Sequence, residues 1–99
     1  MSTTFEPVHA AVGSQFVAHT QQGPVELVLV EAQERPRGHL PEPFRTPFSL
    51  LFTGPEAPRL AQDTYTLDHA QLGRVQWMLV PVMPDTRAPN VPRYEAVFG

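Results

Sequence analysis

The chain has 99 residues, of which 41% are hydrophobic and 17% charged, and its formal net charge is −3. This size and composition predict one globular domain, residues 1–99, and not a disordered segment. The basic residues are all arginine and are scattered along the chain, so it lacks the basic stripe that neutralises nucleic-acid phosphates. The absence of cysteine excludes disulfides, thiolate metal sites and cysteine nucleophiles.

The sequence carries no targeting or membrane signal. A transmembrane helix needs about 18 consecutive apolar residues, and no run in this sequence approaches that length. The N-terminal residues lack the basic patch and apolar run of a signal peptide. We therefore expect cytoplasmic synthesis, no membrane insertion and no nucleic-acid partner.

The first predicted element is a short helix. Thr3 or Thr4 is suited to cap its start, and Gly13 to end it. The apolar residues at helical spacing are Phe5, Val8 and Val12.

The remainder of the chain is predicted to form short strands separated by turns. The segment Glu34–Pro47 carries four prolines and a glycine, which exclude a helix or a sheet ladder there. Short strands joined by proline-rich turns predict an all-β fold, either an antiparallel sandwich or a small barrel of about six strands. The predicted strands are Gln15–Thr20, Val25–Gln33, Phe48–Thr53, Thr64–Asp68, Arg74–Val82 and Arg93–Phe98.

Both faces of these strands carry apolar residues. Alternate residues of a strand point to opposite faces, so each face can be read from the sequence. The face predicted to form the core comprises Val25, Leu27, Leu29, Phe48, Leu50, Phe52, Tyr65, Leu67, Val75, Trp77, Leu79, Tyr94, Ala96 and Phe98. The opposite face carries Val28, Val30, Leu51, Met78, Val80, Val82 and Val97.

The second apolar face requires a cover. Burying one such side chain stabilises a protein by roughly 1.5–3 kcal/mol, and monomers seldom expose large apolar patches. The cover would be the N-terminal helix with the proline segment, a second curled sheet of the same chain, or another subunit. The sequence leaves these three alternatives open.

The titratable residues show no spacing typical of a catalytic or metal site. His9, His19, His39 and His69 are far apart, and we expect them to be surface histidines. The carboxylates of Glu56, Asp63 and Asp68 could meet at one end of the sheet for general acid–base work, but turn positions explain them better.

The hydroxyl and aromatic residues likewise show no pattern typical of a functional site. Ser14 and Ser49 are the candidate nucleophiles, and neither lies in a Gly-x-Ser-x-Gly elbow. Trp77, Tyr65 and Tyr94 could line a groove for a carbohydrate or another small ligand, although all three fall on the face predicted to form the core. We expect no enzymatic activity, no metal and no cofactor.

Several segments together resemble an uncharacterised family of short bacterial domains. The most specific is Pro-Phe-Ser-Leu-Leu-Phe-Thr-Gly-Pro at residues 47–55, and further matching segments lie at residues 5–7, 12–16, 25–29, 65–69, 72–73, 79–82 and 94–98. Members of that family are often encoded near phage-tail-collar proteins of the microcystin-dependent type. The resemblance implies a role in a tail-like or fibre-like extracellular assembly, and it carries over no catalytic residue.

These observations predict a structural or accessory subunit that binds copies of itself or a tail-collar-type protein. The expected interface is the second apolar face, Val28, Val30, Leu51, Met78, Val80, Val82 and Val97, aided by strand addition at the edges of Phe48–Phe52 and Tyr94–Phe98. The alternative function is a carbohydrate-binding or other small-ligand module that uses the aromatic groove and the proline segment.

Overall fold

A computed structural model describes residues 5–34 and 47–98 of the chain. All six predicted strands are confirmed, with ends that differ from the prediction by at most two residues. The helix is shorter than predicted. The elements are α1 (Phe5–Ala10), β1 (Gln15–Thr20), β2 (Gly23–Glu34), β3 (Phe48–Thr53), β4 (Asp63–His69), β5 (Gly73–Val82) and β6 (Arg93–Phe98).

The strands form a closed antiparallel barrel in the order β1-β2-β3-β6-β5-β4. Of the two architectures left open by the sequence, the barrel is therefore the one observed. The long strand β2 pairs with β1 and then β3, and its register shifts between Leu29 and Glu31. Such a bulge bends a strand and increases its twist, which allows β2 to follow the curved wall.

Closure of the barrel contradicts one expectation. β3 pairs with β2 on one side and β6 on the other, while β6 pairs with β3 and β5. Segments 48–52 and 94–98 are thus inside the closed sheet and are not its edge strands. A closed sheet removes the free edges that strand addition requires.

The barrel interior is filled by the side chains predicted to form the core. Phe16, Phe52 and Trp77 lie together at its centre, with ring centroids 5.3 Å apart for Phe16–Phe52 and 5.7 Å apart for Phe16–Trp77. The predicted core residues are buried, or partly buried against the same cluster in the case of Tyr65, Val75 and Phe98. The alternation of the sequence therefore identified the inward face correctly.

Helix α1 packs against this interior cluster. Val8 and Ala11 are buried in the cluster, and the Phe5 ring lies 5.3 Å from that of Phe48 in an edge-to-face contact. Val12, which was predicted to belong to the helix, lies after its end and is 41% exposed. The backbone leaves the helix before this residue, and the Gly13 N–H donates to the Leu29 carbonyl at 2.7 Å. The predicted caps Thr3 and Thr4 lie outside the described residues, as do residues 35–46 of the proline segment.

Candidate functional site

The second apolar face forms the outside of the barrel. Because the core residues point inward, the residues that alternate with them point outward. Leu51, Val80 and Val82 are half-buried there. The more exposed members are Val28 (39%), Val30 (42%), Met78 (53%) and Val97 (56%).

The apolar residues of this outer face are interleaved with charged ones. Leu51 pairs with Glu31 of β2 on one side and with Glu95 of β6 on the other. Glu95 in turn pairs with Val80 of β5. Directly opposite side chains in antiparallel strands lie about 4.5–5.5 Å apart at their Cβ atoms, so these four residues form one row across the wall.

The most exposed pair lies beside a short ladder. β5 and β6 pair over three positions, Val80–Val82 against Arg93–Glu95. Met78 and Val97 each lie two residues beyond the same end of this ladder, one on each strand, and both are exposed. The two most exposed side chains of the predicted interface therefore lie at the same end of the β5–β6 ladder.

A shallow groove of about 410 Å³ runs along the same wall. Leu51, Val82 and Met83 supply apolar surface to it, and Arg93 supplies a positive charge. Carboxylates and amides complete it, namely Glu31, Glu34, Glu95 and Gln33, with the Ser49 hydroxyl. The groove therefore combines apolar surface with charged and polar groups, as protein–protein contacts do.

A second cluster, missed by the sequence analysis, joins Ser14 to His69. The Ser14 Oγ and the His69 Nε2 are 2.6 Å apart. His69 was predicted to be a surface residue, which is wrong, since it is 8% exposed and its ring lies 4.4 Å from that of Phe16. Alternation along β4 could have revealed this, because His69 follows Tyr65 and Leu67 on the inward face.

The hydrogen bonds of this cluster fix the direction of each proton. The backbone N–H groups of Gln71 and Leu72 both donate to the His69 Nδ1, each at 3.1 Å. A neutral imidazole that accepts at Nδ1 carries its hydrogen on Nε2, so Nε2–H donates to Ser14. The Ser14 hydroxyl then donates to the Ala11 carbonyl. In this arrangement His69 has no lone pair facing Ser14. A general base must accept the hydroxyl proton of its nucleophile, so this pair is arranged the opposite way.

The third cluster is an exposed ionic network on the outer wall. Asp68 was predicted to be a turn residue, but it lies within β4 and points outward. Its carboxylate accepts from Arg74 Nε at 2.8 Å and Nη2 at 3.1 Å, and lies 2.6 Å from His19 Nε2. Hydrogen bonds from Arg74 and then from His19 hold the pKa of Asp68 well below its usual range.

The other candidate carboxylates do not join this network. Asp63 begins β4 and accepts the Thr64 N–H at 2.8 Å, as a residue at a strand start often does. Glu56 is exposed in the loop after β3. The carboxylates of Glu56, Asp63 and Asp68 therefore form no acid–base pair at one end of the barrel in the part of the chain that the structure describes.

The aromatic groove of the alternative function is not formed. Trp77 and Tyr94 are buried in the barrel interior, 4% and 2% exposed. The Tyr94 Oη accepts the buried N–H of Leu60 at 2.9 Å, and the half-buried Tyr65 donates its hydroxyl to the Ala61 carbonyl at 2.7 Å. These side chains are committed to packing and to loop anchoring because alternation places all three on the inward face.

The comparison with protein families gives one match. The model of a family described as a domain of unknown function, DUF6916, matches residues 3–98. The chain belongs to this family. No curated protein and no solved structure was found to match it.

In this DUF6916 member the histidines are dispersed over the fold. His9 is exposed on α1, His19 bonds Asp68, His69 is buried, and His39 lies outside the described residues. Across residues 5–34 and 47–98, no three histidine or carboxylate side chains are grouped so that they could hold a metal ion. None of the helices in those ranges is long and apolar enough to span a membrane.

Proposed function

We propose that this protein is a non-enzymatic structural or accessory subunit of a tail-like or fibre-like bacterial assembly. Its partners in this proposal are further copies of itself or a tail-collar-type protein. The observation that carries the proposal is the outer apolar face, because the barrel interior is already filled and this face has no role in the core. The resemblance described above supplies the kind of assembly.

Burial supports a contact through this face. Met78 and Val97 are more than half exposed, and Val30 and Val28 are 42% and 39% exposed. Removing apolar surface from water stabilises a complex by about 25 cal/mol per Å², before the cost of association is subtracted. Across β3, β5 and β6 the apolar side chains alternate with charged and polar ones, so a contact through this wall would combine apolar burial with polar contacts.

The mechanism is a contact between faces and not the addition of a strand. β3 is paired with β2 and β6, and β6 with β3 and β5, so neither strand is an edge of the sheet. Glu31, Glu95 and Arg93 border the apolar residues and would give the contact its orientation. If the two contacting surfaces of a subunit differ, and the rotation between successive subunits does not close a ring, the subunits form a fibre.

The test is the mass of the purified chain in solution, measured by light scattering over a concentration series. We expect discrete oligomers or a growing polymer for the natural sequence. Met78→Asp and Val97→Asp should reduce the mass to that of the 11.0 kDa monomer. Gln76→Asp is the matched control, because Gln76 is an exposed polar residue of the same strand as Met78.

Two results would contradict the proposal. One is equal assembly by Met78→Asp, Val97→Asp and Gln76→Asp, with circular dichroism showing that all three are folded. The other is a monomer at every concentration that also fails to bind a phage-tail-collar protein from the same genome. A monomer that binds the collar protein through Val97 would retain the proposal with that protein as the partner.

A further inference from the structure

His69 connects two distant segments of the chain, residues 11–14 and residues 69–72. It is the last residue of β4, and its Nδ1 accepts two N–H groups of the following turn, from Gln71 and Leu72. Its Nε2 is bonded to Ser14, which lies between α1 and β1 and is bonded to Ala11 just after the helix. We call this chain of hydrogen bonds, Gln71 and Leu72 to His69 to Ser14 to Ala11, the His69 relay.

The hydrogen bonds of the relay all run in one direction, from Gln71 and Leu72 towards Ala11. Two backbone N–H groups donate to Nδ1, so a hydrogen placed on Nδ1 would have no acceptor to bond. An imidazolium ion carries hydrogen on both ring nitrogens. Protonation of His69 would therefore set a third donor against the two N–H groups of the turn, and both of their hydrogen bonds would be lost.

In residues 5–34 and 47–98, no charged group is bonded to the His69 ring to offset this effect. On the same strand, Asp68 points outward and is bonded to His19 of β1 and Arg74 of β5. The turn residues 70–72 are Ala, Gln and Leu, and the titratable residues of α1, Glu6 and His9, are exposed. Burial alone lowers the pKa of His69 below its ordinary value of 6.5. The imidazolium would thus be buried, with no counter-charge bonded to it from the described part of the chain.

Ala11 and Val8, at the helix end of the relay, belong to the core. They are 6% and 2% exposed, and Phe16, which packs against the His69 ring, is fully buried. The relay holds the junction between α1 and β1 against the turn between β4 and β5. Its loss would loosen the cover that α1 gives to the core beneath it.

We propose that the His69 relay is an acid-sensitive latch, which opens when the ring is protonated and then releases the α1–β1 junction from the β4–β5 turn. The device goes beyond the proposed assembly function, since it concerns the opposite side of the sheet from the outer apolar face. Acidification would expose apolar core residues beside α1 and so change the surface that the subunit offers to a partner.

The test follows His69 and its two donors by nuclear magnetic resonance. Ring nitrogen shifts should show the Nε2–H tautomer at pH 7.5, the arrangement in which Nδ1 accepts. We expect the amide protection factors of Gln71 and Leu72 to fall at least tenfold as the ring is protonated. The protection factors of β3, on the far side of the barrel, should remain constant over the same range.

His69→Asn provides the control variant. The asparagine Oδ1 can replace Nδ1 as the acceptor of both N–H groups, and it cannot be protonated in this range. Its Gln71 and Leu72 protection factors should be independent of pH. Should this variant fail to fold, the titration of the natural protein still decides the matter.

The latch is ruled out by any of three results in the natural protein. The first is a ring that stays neutral down to pH 4. The second is a neutral ring with its hydrogen on Nδ1, and the third is a ring that titrates while the two amides stay protected. Self-assembly is measured separately with Val97→Asp, whose side chain lies outside the relay. Failure of the latch and failure of the proposed assembly are therefore distinguishable.

Discussion

Gly54 lies so close to Leu27 that a Cβ atom built on the glycine would be 2.8 Å from the leucine Cδ2. The same Cβ would lie 3.3 Å from Cε2 of Tyr94. Both neighbours are buried in the core. The glycine in the segment Phe-Ser-Leu-Leu-Phe-Thr-Gly-Pro therefore serves close packing after β3, which explains a structural motif without any catalytic role.

Gly54→Ala should lower the free energy of unfolding by about 1–3 kcal/mol, because the added methyl group overpacks the core at Leu27. Urea unfolding followed by circular dichroism measures the change. Leu27→Ala creates a cavity and should by itself cost about 2–5 kcal/mol. The double variant should lose less than the sum of the two, since each change relieves the other. Strict additivity would mean that the two residues do not compete for space.

Tyr94→Phe and Tyr65→Phe form a matched pair. The Tyr94 hydroxyl accepts the buried N–H of Leu60, so its removal leaves a buried donor unsatisfied, at a cost of about 1–3 kcal/mol. The bond from Tyr65 to the Ala61 carbonyl is at the surface, where water can replace it, and its loss should cost less than about 1 kcal/mol. Urea unfolding of the two variants checks the order. A larger loss for Tyr65→Phe would contradict the placement of Tyr94.

Ala96 and Val97 are adjacent in β6, and their side chains point to opposite faces of the sheet. Ala96 is 1% exposed and points into the barrel, whereas Val97 is 56% exposed and points out of it. Ala96→Asp would bury an unpaired carboxylate and should prevent folding. Val97→Asp should leave the circular dichroism spectrum and the urea midpoint of the monomer nearly unchanged. Equal damage from the two changes would indicate a different register for β6.

The Asp68 network has a defined pH dependence. Because its folded pKa is lowered, the carboxylate contributes stability that is present above its unfolded value of 3.8 and lost as the pH falls towards the folded value. Carbon-detected titration of the carboxyl group should show it still ionised at pH 3.8, its unfolded pKa. Since the network is exposed, high salt should move the pKa back towards 3.8. A salt-independent pKa would mean that the Arg74 and His19 contacts are not its cause.

Protonation of His69 is expected to lower the free energy of unfolding. Its folded pKa is lowered, so below 6.5 the unfolded chain takes up a proton that the native ring does not. The free energy of unfolding should therefore fall as the pH drops from 6.5 to the folded pKa, and then level off. Urea unfolding should give the natural protein and His69→Asn the same pH dependence of the free energy of unfolding above pH 7.5. Below pH 6.5 only the natural protein should lose stability through this residue. Parallel curves across the whole range would contradict a buried, neutral His69.

The sequence by itself determined which residues face inward. Alternation along Val25–Leu29, Phe48–Phe52 and Tyr94–Phe98 depends only on the pleat of a strand, which is a local property, and the structure buries those residues as expected. Turn-forming residues likewise located the strand ends. The second apolar face was visible for the same local reason, and its residues do point away from the core.

Only the tertiary structure decided how the strands close and which side chains meet. Ser14 and His69 are 55 positions apart, and no local pattern brings their atoms to 2.6 Å. Closure removed the expected edges of β3 and β6, because strand order follows from long-range pairing and not from the composition of one strand. The burial of Ala11 and the exposure of Val12 depended on where the chain turns to meet Leu29. Contacts between distant segments are set by the packing of the whole barrel, and for that reason the direction of the His69 hydrogen bonds could not be read from the sequence.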